Sequence, residues 1–345
     1  MNHRCVFKDI AVTTFALAAM AAGGLAQAQP ADPFFKGKQI KLIVGSNAGG
    51  NYDQYGRFLA RHMGKHIPGG PSFVVQNIPA AGGIQAANIL YNVAPKDGLT
   101  IAHLQRTIPQ AALVGLPGTE YDATKFTWLG SLNNEVTVCV AWHEAPVKTL
   151  QDVMTRELII GSQGQTDGDQ FPAVLNSVIG TKFKMVSGYT GGGGILLAME
   201  QREVDGRCGW SWSSIQTQRP EWLRDKKINV LVQTSLDKHP DLPNVPLAID
   251  FVKSEEQRQA LEFLFGRNVV GRVFAAPPGV AADRVAVLRT AFDAVTKDPE
   301  AIAEADKQKL ELTPVSAAEV EMLVEKFHKT PKQVIDAVEK ASQAR

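Results

Sequence analysis

Ile40-Lys41-Leu42-Ile43-Val44-Gly45-Ser46-Asn47-Ala48-Gly49-Gly50-Asn51-Tyr52-Asp53 passes from one kind of structure to another. Ile40–Val44 is apolar and rich in β-branched residues, which suits a short strand better than a helix end. From Asp53 onward, Tyr55, Phe58, Leu59 and Met63 recur at helical spacing. Between them lies a loop of small and polar residues carrying Gly49 and Gly50. Strand, glycine turn and helix start make half of a βαβ unit. Unpaired N–H groups and the helix dipole converge at such a place, so the loop reads either as a plain tight turn or as a seat for an anion. The spacing is not Gly-x-Gly-x-x-Gly, and no Lys-Ser/Thr pair follows as in a phosphate-binding P-loop.

Further along, the same grammar repeats. Phe73–Asn77 reads as a second strand, followed by a second glycine loop, Ala81-Gly82-Gly83, and a helix of small residues from Ile84. Leu99–Ala102 follows the turn Pro95-Lys96-Asp97-Gly98 as a third strand. A β-loop-α series predicts a parallel sheet covered by helices, with its loops at the carboxyl edge where open α/β sheets bind ligands. After a strand-like stretch from Phe126 to Ala141, a second βα series begins at Leu158–Gly161. It runs through the loop Ser162–Asp167, a helix to Ile179, a strand at Phe183–Val186 and the loop Ser187–Gly194. Val204–Cys208 then reads as a strand that continues into Gly209–Ser214. The tail predicts a helix near 255–265, a strand at Val269–Ala275 and helices from Ala281, one opened by a Ser316/Glu319 capping box. Strand Val269–Ala275 cannot bury its faces alone. Returning it to the first module gives two lobes, 36–135 with 235–345 and 136–234, whose glycine loops face each other across a cleft.

Composition narrows the function. Arg4 and Lys8 precede an uncharged, Ala- and Gly-rich stretch from Ile10 to Leu25, and Ala26-Gln27-Ala28 has the small-x-small form of a cleavage site. Residues 1–28 are therefore expected to be an export signal cut after about Ala28. The rest carries 34 basic and 34 acidic residues, which gives no basic excess for nucleic acid. Cys139 and Cys208 remain in the mature chain. They can pair in an oxidising compartment, but buried free thiols are the favoured reading. No Ser/His/Asp or Cys/His constellation, metal-ligand spacing or cofactor motif stands out. The expectation is a monomeric binding protein with no catalytic residue, metal or cofactor.

The order of these motifs resembles the periplasmic solute-binding proteins of the tripartite tricarboxylate transporter family, the Bordetella uptake gene (Bug) type. The carriers are Ile40–Val44 with Gly49-Gly50 and Asp53, and Val74-Val75-Gln76-Asn77 with Ala81-Gly82-Gly83. Pro95–Thr100, Gly188-Tyr189-Thr190-Gly191-Gly192, Leu231–Ser235 and Leu242-Pro243-Asn244-Val245-Pro246 extend the match over nearly the whole mature chain. The resemblance implies an α/β, two-lobed type II periplasmic-binding fold, each lobe a mixed sheet flanked by helices, joined by two crossover hinge strands. It further implies a small organic carboxylate as ligand and membrane transporter subunits as partners. A sensory ligand-presenter for a membrane histidine kinase, or a secreted enzyme on the same fold, are the alternatives.

Carried across residue by residue, the resemblance puts Ser46, Asn47, Ala48, Gly49, Gly50, Asn51 and Tyr52 in the first ligand loop, and Ala81, Gly82 and Gly83 in the second. Ser162, Gln163, Thr166 and Asp167, with Tyr189, Thr190 and Gly191, face them from the other lobe, together with Trp210 and Ser211. Where the family usually has a proline-rich run, this chain has Gly45-Ser46-Asn47-Ala48, which leaves more N–H groups free. No Lys or Arg follows Gly191–Gly194 in the sequence until Arg202, so a carboxylate suits that loop better than a phosphate. Asp53, read as a helix cap, adds a negative charge that disfavours a dianion. If the strand continues there, Trp210 and Trp212 point to opposite sides, one to the cleft and the other to the core; a core or hinge tryptophan is the alternative. If Trp210 and Tyr52 line the cleft, an aromatic or long aliphatic acid is favoured over citrate. Asp167 and Asp169 read as solvated, capping or amine-binding, and Arg106 as a surface residue or a partner for a second carboxylate.

Overall fold

The chain first lays down β1 (Gln39–Val44), α1 (Asn51–Met63), β2 (Ser72–Asn77), α2 (Ile84–Asn88), β3 (Thr100–Leu104) and β4 (Thr127–Ser131). It crosses at 132–136 to build β5 (Thr137–Trp142), α3 (Leu150–Thr155), β6 (Leu158–Gly161), α4 (Asp167–Ile179), β7 (Phe183–Val186) and α5 (Gly192–Glu200). There follow β8 (Gly206–Ser211), α6 (Trp212–Gln218), α7 (Pro220–Arg224), β9 (Ile228–Gln233) and α8 (Glu255–Gly266). A return through 267–272 leads to β10 (Val273–Ala276), α9 (Ala282–Val295), α10 (Pro299–Gln308), β11 (Val315–Ser316), α11 (Ala317–His328) and α12 (Lys332–Gln343). This is a computed structural model describing residues 33–343 apart from 165; the expected export signal lies outside the described residues.

Two mixed sheets result, ordered β11-β4-β10-β3-β1-β2 and β7-β6-β8-β5-β9. β1 lies between parallel partners β2 and β3, which is why Ile40, Leu42, Ile43 and Val44 are all buried rather than alternating. The helical spacing read after Asp53 holds, since Tyr55, Phe58, Leu59 and Met63 form the fully buried face of α1. That helix starts at Asn51, behind an extended Gly50 that offers no side-chain cap. The Ser316/Glu319 capping box forms at α11, and a second box, Thr149/Asp152, opens α3. β10 returns to the first sheet, antiparallel to β3 and β4.

β8 continues through Gly209-Trp210-Ser211, held extended by its pairing with β5, and runs directly into α6. The structure departs from the sequence reading in two places. The 235–345 segment does not pack as one unit: α8 and α12 bury Leu261, Phe265, Val334 and Val338 in the same core as Phe171 and Val174 of α4. Cys139 and Cys208 are not free thiols but a disulfide. They are 69 residues apart in the chain, yet β5 and β8 are antiparallel neighbours pairing Val138 with Trp210 and Val140 with Arg207, so the two sulfurs meet. No helix among the described residues is long and apolar enough to cross a membrane.

Candidate functional site

The first glycine loop meets the facing lobe at Asn47. Its Nδ2 donates to the Thr190 carbonyl at 2.6 Å, and a Cβ on Gly191 would lie 2.6 Å from the same nitrogen. Gly191 has φ +120°, so its lack of a side chain serves both the backbone turn and the close approach. Asn51, at the start of α1, donates to Thr217 Oγ1 at 3.2 Å on α6. The loops are therefore in contact across the cleft.

Part of the expected amide cradle is used internally. The Gly49 N–H donates to Asp53 Oδ2 at 2.8 Å, and the Gly50 N–H reaches the Asn47 carbonyl at 3.4 Å. Asp53 also accepts from Arg57 Nε and Asn77 Nδ2, both at 2.9 Å. Burial opposes its ionisation, but these hydrogen bonds outweigh that and hold its carboxyl below the usual range. Arg57 thus neutralises the charge that the sequence reading set against a dianion. Among the described residues the Ala48 and Asn51 amides have no acceptor. In the second loop, Ala81, Gly82 and Gly83 all have positive φ, and the Gly45 carbonyl beside it accepts from Gln105 Nε2 at 3.1 Å.

In the facing lobe, Ser162 is buried and shares hydrogen bonds with Ser187 and Asp169. Gln163 and Thr166 are partly buried, and Thr166 stands at the N-cap of α4 without capping it through its side chain. Tyr189 lies over Gly161 and Gly194 with its ring partly buried.

Four arginines decide the electrostatics, and sequence order hides three of them. Arg106, in the loop after β3, enters the facing lobe and pairs with Asp167 through Nε; its Nη1 donates to Ser211 Oγ at 2.9 Å and its Nη2 to the Gly209 carbonyl at 3.2 Å. Gly209 must lack a side chain here, because φ is +62° and a Cβ would lie 2.6 Å from the Asp167 backbone. Arg267, at the return crossing, makes an ion pair with Asp167 at 2.6 Å and donates to Gln170 Oε1 at 2.5 Å. Arg272 pairs with Glu135 at 3.0 Å, donates to Asn51 Oδ1 from Nε at 3.1 Å, and lies over the rings of Tyr52 and Tyr55. Arg207 on β8 lies over the Trp210 ring and against Gly192, with no carboxylate beside it among the described residues.

The charges respond as their partners dictate. Burial disfavours the Arg106 cation, but the adjacent Asp167 charge outweighs it and raises the pKa. For Arg267, burial wins and the pKa falls. Burial, with repulsion from Arg106, brings Arg207 down to about 10. His103, fully buried and stacked on Phe274, is pushed well below the usual histidine range by burial and then by Arg272, so it stays neutral.

Several expected ligand contacts are reassigned. Trp210 is 2 % exposed and packs against Trp222, and Trp212 is likewise buried with its Nε1 directed at Asp241, so neither indole lines the cleft. Tyr52 has Arg272 over its ring and His103 beside it, and its hydroxyl accepts from the Arg106 amide at 3.3 Å. Asp167 and Arg106 bind each other, so neither is the solvated residue considered from sequence. Away from the loops, His62, Asp298 and Glu300 come close together, but Lys65 bridges the two carboxylates at 2.6 and 2.5 Å. An open groove of about 500 Å³ between α6–α7 and α10 contains none of the loop residues.

A model of the tripartite tricarboxylate transporter family receptor, TctC, matches residues 56–339. The chain belongs to this family. A protein from Cupriavidus necator described as a UPF0065 protein in the gbd 5′ region is 32 % identical over 159 residues, covering 44 % of each chain. The match thus spans less than half of that relative. Among solved structures, the periplasmic binding protein BugD superposes with a TM-score of 0.70 at 18 % identity, covering 89 % of this chain and 98 % of that one. Rhodopseudomonas palustris MatC with bound malate gives 0.67 at 20 % identity over 88 % and 100 %, and R. palustris Rpa4515 with adipate gives 0.68 at 20 % over 88 % and 97 %. At these identities the likeness establishes the shared two-lobed fold.

In this TctC-family receptor a further contact joins the loop after β9 to the segment before β11. His239, in the loop after β9, approaches Glu311, which precedes β11, at 3.8 Å and also Asp241 at 3.7 Å. Glu311 is the main cause of a raised histidine pKa. A group whose folded pKa is raised contributes fully below its unfolded value, near 6.5, and loses that contribution as pH rises through the folded value. The wild type minus His239→Gln stability difference is therefore expected to be largest near pH 6 and to fade by pH 8. Partial exposure limits it to about 1 kcal/mol. A flat difference curve from paired urea titrations would remove the role assigned to His239.

Proposed function

We propose that this protein is a periplasmic receptor that captures a small organic acid between its lobes and delivers it to membrane transporter subunits of the tripartite type. The observation that carries this reading is the meeting of the two lobes' glycine loops at Asn47, Thr190 and Gly191, beside the Ala48 and Asn51 amides, which have no acceptor among the described residues. A carboxylate needs two or three such donors, and it gains most from them when lobe closure excludes water. We place the hinge at the crossings 132–136 and 267–272, with 36–135 and most of 235–345 moving against 136–234. The protein acts as a monomer and performs no chemistry on its ligand. The acids bound by MatC and Rpa4515 support a carboxylate as the ligand class.

Calorimetry and thermal shift against mono-, di- and tricarboxylates, aromatic acids and amino acids test this reading. An acid at 100 times its Kd is expected to add about 2.7 kcal/mol of stability, and the acid is expected to be recovered unaltered. A turned-over ligand would make the protein an enzyme. Failure of every acid to bind would end the receptor reading.

A further inference from the structure

The side-chain amide of Asn51, the first residue of α1, is engaged on both sides. Its Oδ1 accepts from Arg272 Nε at 3.1 Å and also from Arg272 Nη2, which uses both lone pairs of that oxygen. A flipped amide would set its NH2 against the guanidinium, donor against donor, where Arg272 is wholly buried and Asn51 is 6 % exposed. The Asn51 Nδ2 must therefore point away from Arg272, and it reaches across the cleft to Thr217 Oγ1 of α6 at 3.2 Å. Thr217 is prepared to accept. Its hydroxyl donates back along its own helix, to the Ser213 carbonyl at 3.0 Å or the Ser214 carbonyl at 3.2 Å, and so turns a lone pair outward. Arg272 is itself fixed by both crossings. It ends the return crossing and pairs with Glu135, in the outward crossing, at 3.0 Å. Ser213, one turn before Thr217 on α6, donates to Glu135 Oε2 at 2.6 Å and accepts from Arg272 Nη2 at 3.2 Å. One guanidinium thus ties together the two crossings, the start of α6 and the first glycine loop. Every link joins two protein groups.

We propose that Arg272 is a positioning residue for lobe closure, which fixes the Asn51 amide so that the first glycine loop latches onto Thr217 when the two crossings take the geometry seen here. This rests on the receptor reading above and adds to it how closure is set. The latch sits in the loop that offers the Ala48 and Asn51 amides, so closing the lobes and ordering those donors are one event. Because the latch consists of protein groups alone, it biases the lobes toward closure before any acid arrives. One such hydrogen bond shifts the ratio of closed to open protein by roughly 10-fold. That favours closure while leaving exchange possible. The sequence hides the arrangement, since Asn51, Glu135, Thr217 and Arg272 come from four separate segments of the chain.

The test is the distance between spin labels on Gln85→Cys in α2 and Leu197→Cys in α5, two exposed positions on opposite lobes, read by pulsed electron paramagnetic resonance with no acid added. With no other substitution, the labelled protein is expected to give mainly the short distance of closed lobes. Thr217→Val removes the acceptor at constant shape and is expected to lower the closed-to-open ratio about 10-fold, whereas Thr217→Ser, which keeps the hydroxyl, restores it. Arg272→Lys keeps a positive charge beside Glu135, so it is expected to fold, but one ammonium cannot hold Glu135, Ser213 and Asn51 as the planar fork does. Its closed-to-open ratio is expected to fall, and Thr217→Val added to it is expected to change little more, because both act on one contact. Thr217→Val distances equal to those of the parent, or equal opening in Thr217→Val and Thr217→Ser, would overturn the latch. Parent-like distances in Arg272→Lys, or fully additive effects of Arg272→Lys and Thr217→Val, would overturn the positioning role of Arg272. No acid enters the measurement, so either failure leaves the receptor reading standing. That reading fails instead in the calorimetry, if no acid binds, with these distances unaffected.

Discussion

Asp167→Ala is expected to destabilise the ligand-free protein by about 3 kcal/mol and to loosen contact between its lobes. Among the described residues Asp167 is the one carboxylate paired with both Arg106 and Arg267, and all three side chains are almost wholly buried. Removing one member of a buried charged group costs about 3–5 kcal/mol, because the remaining charges keep their desolvation penalty without compensation. The lower end applies here, since lobe opening can return Arg106 to water. Arg106 also keeps its bonds to Ser211 and to the Gly209 carbonyl. Urea denaturation measures the loss, and small-angle scattering is expected to show a larger radius of gyration. Asp167→Asn preserves shape and one acceptor oxygen, so its cost is expected to be smaller. If Asp167→Ala unfolds at the wild-type midpoint with unchanged dimensions, the triad does not hold the lobes together.

Replacing both cysteines, as Cys139→Ala with Cys208→Ala, is expected to cost about 4 kcal/mol. The bridge closes a loop between positions 69 apart, between the ~3 kcal/mol expected for a 15-residue loop and the ~4.7 kcal/mol for a 100-residue loop. It also ties β5 to β8 beside Arg207 and Gly209, so the facing half of the site is expected to soften along with the global fold. Both sulfurs lie in the apolar core, and the lost packing adds to the effect. Denaturant midpoints with and without reductant measure it. Reduced wild type is expected to match the double variant, and the oxidised mature protein is expected to titrate no thiol when unfolded. A double variant within 1 kcal/mol of the oxidised wild type would count against the bridge as a stabilising element.

The first lobe was legible because its information is local. Ile40–Val44, the glycine turn and the apolar face of α1 lie within one stretch of chain, and their periodicities require no distant partner. The capping box at Ser316 was visible for the same reason. Gly191 could be read as a turn, but its approach to Asn47 could not, since that contact joins residues 144 apart. For Trp210 and Trp212 the core and cleft readings stayed open, because alternation along a strand tells which residues share a face, not whether that face meets solvent or another layer. Both faces of β8 are covered.

The chain by itself thus determined the two βα modules, the glycine loops at their carboxyl edges and the family that orders motifs in this way. Tertiary structure alone decided the charge of the site. Arg106, Arg207, Arg267 and Arg272 are spread over 166 positions, and only Arg106 stands out in the sequence as a candidate ligand contact. Electrostatic interaction depends on distance in space and on exclusion of water. Only folding buries Arg106, Arg267 and Arg272 against Asp167 and Glu135 and sets Arg207 against the start of α5.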